Sequence, residues 1–232
     1  IVAAVLNSVK KDNTLSSLRL SRSPEKTEHV EMRVEINSGG TVQKEETVLL
    51  DMLFRANPRA RVFALDTHVL FTETYDYWAL VEERDGTRVR PYEGPSLGLQ
   101  AARFGPKRWE SAPDRCCGIR KMEPLERALK GKDAWGTGLR REQSGARADV
   151  PLVDTSEKRT KINPLANWTW GDVWHCIREN QLDYNPLHDQ FFPSIGCEPC
   201  TRAISLGEDF RAGRWWWEQE SAKECGLHVQ HA

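Results

Sequence analysis

The chain has 232 residues, 39% hydrophobic and 29% charged, with a formal net charge of -1. This composition predicts a globular protein with one sizeable domain and no general affinity for nucleic acid. No apolar run approaches the roughly 18 residues that a membrane span needs, so a cytoplasmic location without membrane attachment is expected. Lys and Arg outnumber Asp and Glu between residues 103 and 147, which suits an anionic ligand or a solvated basic face.

The first half of the chain predicts a β-α-β unit after an N-terminal arm, residues 1–31, to which no element is assigned. Residues 32–36 alternate in polarity as a strand does, and a glycine-containing turn follows at 37–41. A helix is predicted over 45–55 and a second, buried strand over 61–65. This order predicts an open, Rossmann-like α/β sheet with helices on both faces.

The second half predicts two more helices and a strand at 134–138. Pro124 suits the first turn of a helix that ends at Gly131. A later helix, capped by Asn167 or Thr169, is expected to bury the apolar stripe formed by Trp170, Val173, Trp174 and Ile177. One domain over 32–217 and a C-terminal tail over 218–232 are therefore expected.

Four of the six cysteines form an unusual set, and they are Cys116, Cys117, Cys197 and Cys200. Four thiolates are the usual complement of an iron–sulfur cluster or a structural zinc ion. Zinc sites usually draw on spaced pairs, so the adjacent pair favours a cluster. Disulfides are the bland alternative, but they are rare in a reducing compartment.

Two further cysteines stand apart from this set. Cys225 lies near the end of the chain, where core packing does not obviously need it, and it is a candidate nucleophile. His228 or a nearby arginine could lower its pKa and raise the reactive thiolate fraction. An incidental tail cysteine remains the plain alternative. Cys176 lies off the apolar stripe of its helix and is interpreted as structural.

Several segments suit an anionic or nucleotide ligand. Residues 37–41 join a strand to a helix, where backbone N–H groups favour a phosphate, although taken alone an ordinary turn explains them better. Asp66 follows the second strand, at the edge where ligands of open α/β sheets bind. Arginines suit phosphate and sulfate oxygens, and those following the strand at 134–138 or the second cysteine pair are Arg140, Arg141, Arg147, Arg202, Arg211 and Arg214. Some of them are expected in surface salt bridges.

Together these residues resemble the assimilatory sulfonucleotide reductases, specifically the adenylyl-sulfate reductase branch, from about Gln43 to His228. The most specific segments are CCGIRK at 116–121, TGLRREQS at 137–144, YNPLHD at 184–189, SIGCEPCTR at 194–202 and ECGLH at 224–228. The resemblance implies a single α/β domain of the adenine-nucleotide α-hydrolase type. It also implies a [4Fe-4S] cluster on the four cysteines and, by analogy, a homo-oligomer.

The resemblance further implies roles for individual residues. Lys121 would bridge cluster and substrate, while Arg147, Arg211 and Arg214 would face the phosphosulfate. The nucleotide site would be lined by Thr41, Gln43, Leu65, Asp66 and Thr67. Cys225 would attack the terminal sulfur of adenosine 5′-phosphosulfate and expel AMP, and a separate thioredoxin would then release sulfite. Two alternatives stay open: a 3′-phosphoadenylyl-sulfate reductase, and a non-catalytic, zinc-stabilised nucleotide-binding module.

Overall fold

The computed structural model describes residues 33–36, 43–58, 60–156 and 159–217. The predicted arm, the turn at 37–41 and the tail from 218 onward lie outside these residues. The strands are β1 (Arg33–Ile36), β2 (Val62–Asp66), β3 (Val89–Glu93), β4 (Ala134–Gly136), β5 (Val153–Asp154) and β6 (Thr160–Ile162). The helices are α1 (Lys44–Ala56), α2 (Thr72–Asp85), α3 (Leu97–Phe104), α4 (Arg108–Ser111), α5 (Pro113–Cys117), α6 (Glu123–Leu129) and α7 (Trp170–Glu179).

One six-stranded sheet organises the described part of the chain, in the order β3-β2-β1-β4-β6-β5. Every neighbouring pair is parallel except β5 and β6. The chain leaves β1 toward β2 on one side and later returns to β4 on the other, so the strand order reverses between β1 and β4. In open α/β sheets this switch point, beyond the carboxyl ends of the strands, is where ligands bind.

Helices cover both faces of the sheet, as β2 shows. Val62 and Ala64 belong to a core cluster with α1 and α2, through residues such as Leu50 and Tyr77. The alternate residue Phe63 belongs to the opposite cluster, which includes side chains of α6. Successive strand residues point to opposite faces, so this alternation requires helices on each side. The predicted open α/β fold is confirmed.

The positions of the first elements were predicted closely, and Pro124 lies in the first turn of α6, as predicted. The helical run before it was not predicted: it starts at Pro113 and continues through a π-helical turn (Gly118–Met122) into α6. The π turn shifts the hydrogen-bond register just before Pro124, so the missing N–H does not end the run. Cys116 and Cys117 consequently lie in helix.

Helix α7 has the predicted cap but buries less of its stripe than expected. Thr169 caps the helix by accepting the Asp172 N–H, and Val173 and Ile177 are buried. The expectation that both tryptophans are core was wrong for Trp170, which is 49% exposed and packs edge-on against Trp174. Trp170 is the first residue of the helix, so it lies at the N-terminal end, where less of the core covers it. None of the described helices is long and apolar enough to cross a membrane.

Candidate active site

The first turn of α1 is buried although it is made of charged residues. Lys44, Glu45 and Glu46 are each at most 3% exposed, and the Gln43 N–H donates to Glu46 Oε2 over 3.1 Å. A Cβ atom on Gly138 would lie 2.9 Å from Glu46 Oε1. Only glycine therefore lets the segment after β4 approach so closely, and it brings the two sides of the switch point together.

A buried ion pair joins these two sides. Arg140, which follows β4, donates from Nε and Nη2 to Glu45 Oε1 over 2.9 and 2.8 Å, and from Nη1 to Glu142. Burial alone would raise the pKa of Glu45, but the adjacent cations Lys44 and Arg140 outweigh it and lower the pKa to about 2. Glu45 is therefore ionised. Arg140 was predicted to contact substrate, and that role stays a prediction.

Glu46 has the opposite electrostatic setting from its neighbour. Burial and the nearby negative charge of Glu45 together raise the pKa of Glu46 to about 8. It is therefore largely protonated at neutral pH. One turn of helix thus holds an ionised and a neutral carboxyl side by side.

The end of β2 contributes the second group of residues at the carboxyl edge of the sheet. The Leu65 side chain is fully buried in the core, so only its backbone can border a ligand. Asp66 accepts hydrogen bonds from the His68 N–H and the Tyr75 hydroxyl, both over 2.8 Å. Thr67 Oγ1 lies 3.3 Å from Cys197 Sγ. This contact connects the predicted nucleotide edge directly to the cysteines.

Local structure orients each cysteine pair. Cys116 and Cys117 end α5, whose first turn contains Pro113, and the π-helical turn follows directly. Such turns often occur at functional sites. Cys200 ends a 3₁₀ turn (Glu198–Cys200) that is preceded by Cys197. In a 3₁₀ turn, side chains three residues apart are eclipsed, so Cys197 and Cys200 point the same way.

The structure brings all four of these cysteines to the lining of one pocket, the cysteine pocket, which is partly open to solvent. None of the four forms a disulfide among the described residues, and Val69, Trp109 and Trp215 supply apolar walls. Burial and the proximity of Cys197 raise the pKa of Cys116, and likewise raise that of Cys200 to about 12. Among the described residues, no three metal-binding side chains are grouped closely enough to hold one ion.

Two buried cations border the cysteine pocket. Arg120 is 1% exposed, and its Nη1 donates to the Thr67 carbonyl over 2.6 Å. Its Nε and Nη2 have no hydrogen-bond partner among the described residues. Lys121 is 2% exposed, with Nζ 5.6 Å from the ring centre of Trp215. The buried donors of Arg120 and the four thiols suit an anionic, sulfur-containing group such as an iron–sulfur cluster.

The predicted phosphosulfate arginines are buried rather than spread on the surface. Arg147 Nη1 donates to Gln143 over 2.7 Å. Arg214 donates to the Ile195 carbonyl over 2.8 Å, and its guanidinium lies 4.4 Å from the Trp215 ring centre. A Cβ on Gly196, next to Cys197, would lie 2.5 Å from this guanidinium. Arg214 is therefore packed against the second cysteine segment. Arg211, also buried, belongs to the same loop.

Three predicted site residues, Thr41, Cys225 and His228, lie outside the described residues. Sequence reasoning in turn missed several groups near the site, namely Lys44, Glu45, Glu46, Arg120 and His188. The acidic pair Glu45 and Glu46, which follows the glycine-containing turn, could have indicated this part of the site. His188 lies within the YNPLHD segment at 184–189, but no role was predicted for it, because its partner Lys44 is 144 residues away in the sequence.

Sequence comparisons give the same family for most of the chain. Residues 36–203 match the phosphoadenosine phosphosulfate reductase domain model. The adenosine 5′-phosphosulfate reductase of Allochromatium vinosum is 49% identical over 191 residues, covering 79% of this chain and 75% of that protein. The adenosine 5′-phosphosulfate reductase 1 of Bacillus subtilis is 44% identical over 188 residues, covering 79% and 80%.

Solved structures agree on the fold. The phosphoadenylyl-sulfate reductase of Candida auris, a phosphate complex, matches with a TM-score of 0.60 and 31% identity, covering 70% of this chain and 79% of that one. An FMN adenylyltransferase of Candida glabrata shares the fold with a TM-score of 0.56 at 12% identity, over 89% and 66% of the two chains. The chain therefore belongs to the phosphoadenosine phosphosulfate reductase domain family, as its sequence predicted, and is an oxidoreductase.

Proposed function

We propose that the chain reduces adenosine 5′-phosphosulfate to sulfite and AMP, within assimilatory sulfate reduction. The observation that carries the proposal is the gathering of Cys116, Cys117, Cys197 and Cys200 around one pocket beside two buried cations. Adenosine 5′-phosphosulfate also stands in the names of relatives up to 49% identical to this chain. These names favour the substrate without a 3′-phosphate.

In this proposal the four cysteines hold a [4Fe-4S] cluster. Four thiolates complete the ligation of such a cluster, and hydrogen bonds to its sulfur atoms tune it. Arg120, whose buried Nε and Nη2 have no acceptor among the described residues, suits that task. When bound, the cluster would tune the electrostatics of the site. Lys121 would then lie between the cysteines and the substrate.

The substrate would bind along the carboxyl edge of the sheet. Thr41, Gln43, Asp66 and Thr67, with the Leu65 backbone, would border the nucleotide. The positive charges that would face the phosphosulfate belong to Lys121, Arg147, Arg211 and Arg214. These cations would offset the repulsion between an anionic sulfate and an attacking thiolate, which is the main electrostatic obstacle to the reaction.

The nucleophile in this proposal is Cys225, in the tail at 218–232, with His228 favouring its thiolate form. The thiolate attacks the terminal sulfur, the bond from sulfur to the bridging oxygen breaks, and AMP leaves. The enzyme then carries an S-sulfonated Cys225. One thiol of thioredoxin attacks the Cys225 sulfur and releases sulfite, and its second thiol resolves the mixed disulfide. The thioredoxin dithiol thereby supplies both electrons.

Sulfite formation tests this proposal when it is measured with thioredoxin on both sulfonucleotides. We expect a clear preference for adenosine 5′-phosphosulfate. Preference for the 3′-phosphorylated substrate would favour the alternative reductase, and no turnover together with stoichiometric zinc would favour the nucleotide-binding module.

Replacement of the nucleophile is the sharper test of the chemical step. Cys225→Ser should lower kcat by at least about a thousandfold, because a serine hydroxyl is a far weaker nucleophile at neutral pH. AMP binding, measured by calorimetry, should be unchanged. Sulfite formation at the wild-type rate by this variant would remove Cys225 from the mechanism. Cys176→Ser is the matched control and should keep full activity.

A further inference from the structure

His188 is half-buried against the first turn of α1 and makes two hydrogen bonds there. Its Nε2 accepts the Lys44 backbone N–H over 3.2 Å, and its Nδ1 lies 2.9 Å from the Phe192 carbonyl oxygen. A carbonyl can only accept, so Nδ1 carries the proton and Nε2 is free to accept. The ring is therefore fixed as one neutral tautomer. Trp174 and Tyr184 pack against it, at 6.1 and 6.5 Å between ring centres.

The surroundings of His188 keep it neutral. Burial and the positive charge of Lys44 lower its pKa to about 3, although Glu45 acts in the opposite direction. A protonated ring would turn Nε2 into a donor facing the Lys44 N–H, and that hydrogen bond would be lost. The acceptor is therefore present at any pH at which the protein would be assayed.

The same contacts tie α1 to the second cysteine segment. Lys44 Nζ donates to the Pro193 carbonyl over 3.1 Å, next to Phe192, whose carbonyl binds His188. Four residues after Pro193 the chain reaches Cys197. The first turn of α1 and the approach to the cysteine pocket are thus held together by two backbone carbonyls, one imidazole and one lysine.

We propose that His188 is a positioning residue, which fixes the first turn of α1 relative to the cysteine segment through its acceptor at Nε2. The proposal rests on the proposed function, in which that turn borders the nucleotide. His188 contacts no reacting atom in this account. Its loss should weaken nucleotide binding by letting the first turn move, and it should leave the chemical step nearly unchanged.

Two substitutions separate the acceptor of His188 from its donor. A glutamine side chain at this position reaches as far as Nε2 and can keep an acceptor for the Lys44 N–H, whereas an asparagine side chain reaches only as far as Nδ1 and keeps the donor. The test compares His188→Gln with His188→Asn in the full-length, anaerobically purified protein. Val81→Ala is the stability control, because Val81 is a buried residue of α2, in the opposite core cluster from the cysteine pocket.

Loss of the hydrogen bond from the Lys44 N–H should raise KM and the inhibition constant of AMP by about tenfold in His188→Asn. The kcat should stay within about threefold, and His188→Gln should stay within about threefold of wild type in every constant. Hydrogen exchange at the Lys44 amide should accelerate in His188→Asn alone. Wild-type KM in His188→Asn would overturn the proposal, as would an equal rise in KM in Val81→Ala.

Failure of the proposed function is distinguishable from failure of this inference. If the wild-type protein forms no sulfite, the proposed function fails, while AMP affinity and Lys44 amide exchange still compare the two variants. Unchanged exchange in His188→Asn would then overturn the role of His188. Faster exchange with weaker AMP binding would support it.

Discussion

Two buried, charge-rich regions of the molecule differ in how far their charged groups find partners within the protein. At the α1 edge, formed by the first turn of α1 and Arg140, the Glu45 carboxylate is paired with two cations and the Arg140 guanidinium is bonded to carboxylates. At the cysteine pocket, Arg120 is equally buried, yet its Nε and Nη2 have no partner among the described residues. In the first region each charge has an opposite charge beside it, although Glu45 Oε2 accepts no hydrogen bond from the described residues. The second region has donors left for a ligand.

This difference in charge pairing should affect the stability of the two regions. A buried charge is costly unless an opposite charge and hydrogen bonds offset it. The α1 edge pairs its charges internally and should therefore hold its shape whether or not the cysteine pocket is loaded. The cysteine pocket should depend on its occupant. The following substitutions test that contrast.

Glu45→Gln should have the largest effect on stability, because it leaves Arg140 and Lys44 buried beside a neutral amide. We expect a loss of about 3 kcal/mol in the free energy of unfolding, as for other buried pairs broken on one side. Urea unfolding of the metal-free and iron-loaded protein should give the same loss. The double variant Glu45→Gln/Arg140→Met should recover part of it, and a loss confined to the loaded protein would contradict the contrast.

Arg120→Met should have a smaller effect, whose sign depends on loading. In the metal-free protein it removes a buried charge that lacks full hydrogen bonding, so stability should rise by about 1 kcal/mol or more. In the iron-loaded protein it removes donors and a countercharge, so iron should be lost faster to a chelator. Iron release followed by absorbance measures this. Equal stability changes in both forms would mean that Arg120 does not serve the pocket.

Glu46→Gln should have little effect at acid pH and a growing effect as the pH rises. The folded-state pKa of Glu46 is about 8, above its ordinary value of 4.5, so the folded protein binds more protons than the unfolded chain between these values. Its contribution to stability is therefore full below pH 4.5 and falls as pH rises toward 8. Because Gln mimics the neutral acid, melting curves should favour the variant over wild type at about pH 8 and not at about pH 5. A constant difference would contradict the raised pKa.

Local sequence patterns predicted much of the fold. The strand at 61–65 and the helix at 45–55 each lie within one residue of the observed β2 and α1, because alternation and helical spacing are properties of neighbouring residues. The four cysteines also proved to share one pocket. Pro124 correctly indicated the first turn of α6, but the helical run before it was not predicted, because a π-helical turn has no comparable local signature.

Contacts between distant segments could not be predicted in the same way. His188 and Lys44 are 144 residues apart, and Arg140 and Glu45 are 95 apart. Nothing near Arg140 distinguishes an arginine that pairs with a buried carboxylate from one that awaits a ligand. The reversal of strand order between β1 and β4 creates these contacts, so they follow from the topology and not from any single motif.

Metal analysis of the anaerobically purified protein is the direct test of whether the cysteine pocket holds an iron–sulfur cluster. We predict about four irons and about four inorganic sulfides per chain, since four thiolates are the ligands of a [4Fe-4S] cluster. Cys197→Ala should lose most of that iron, whereas Cys176→Ser should keep it. Stoichiometric zinc without sulfide in the wild-type protein would contradict the account.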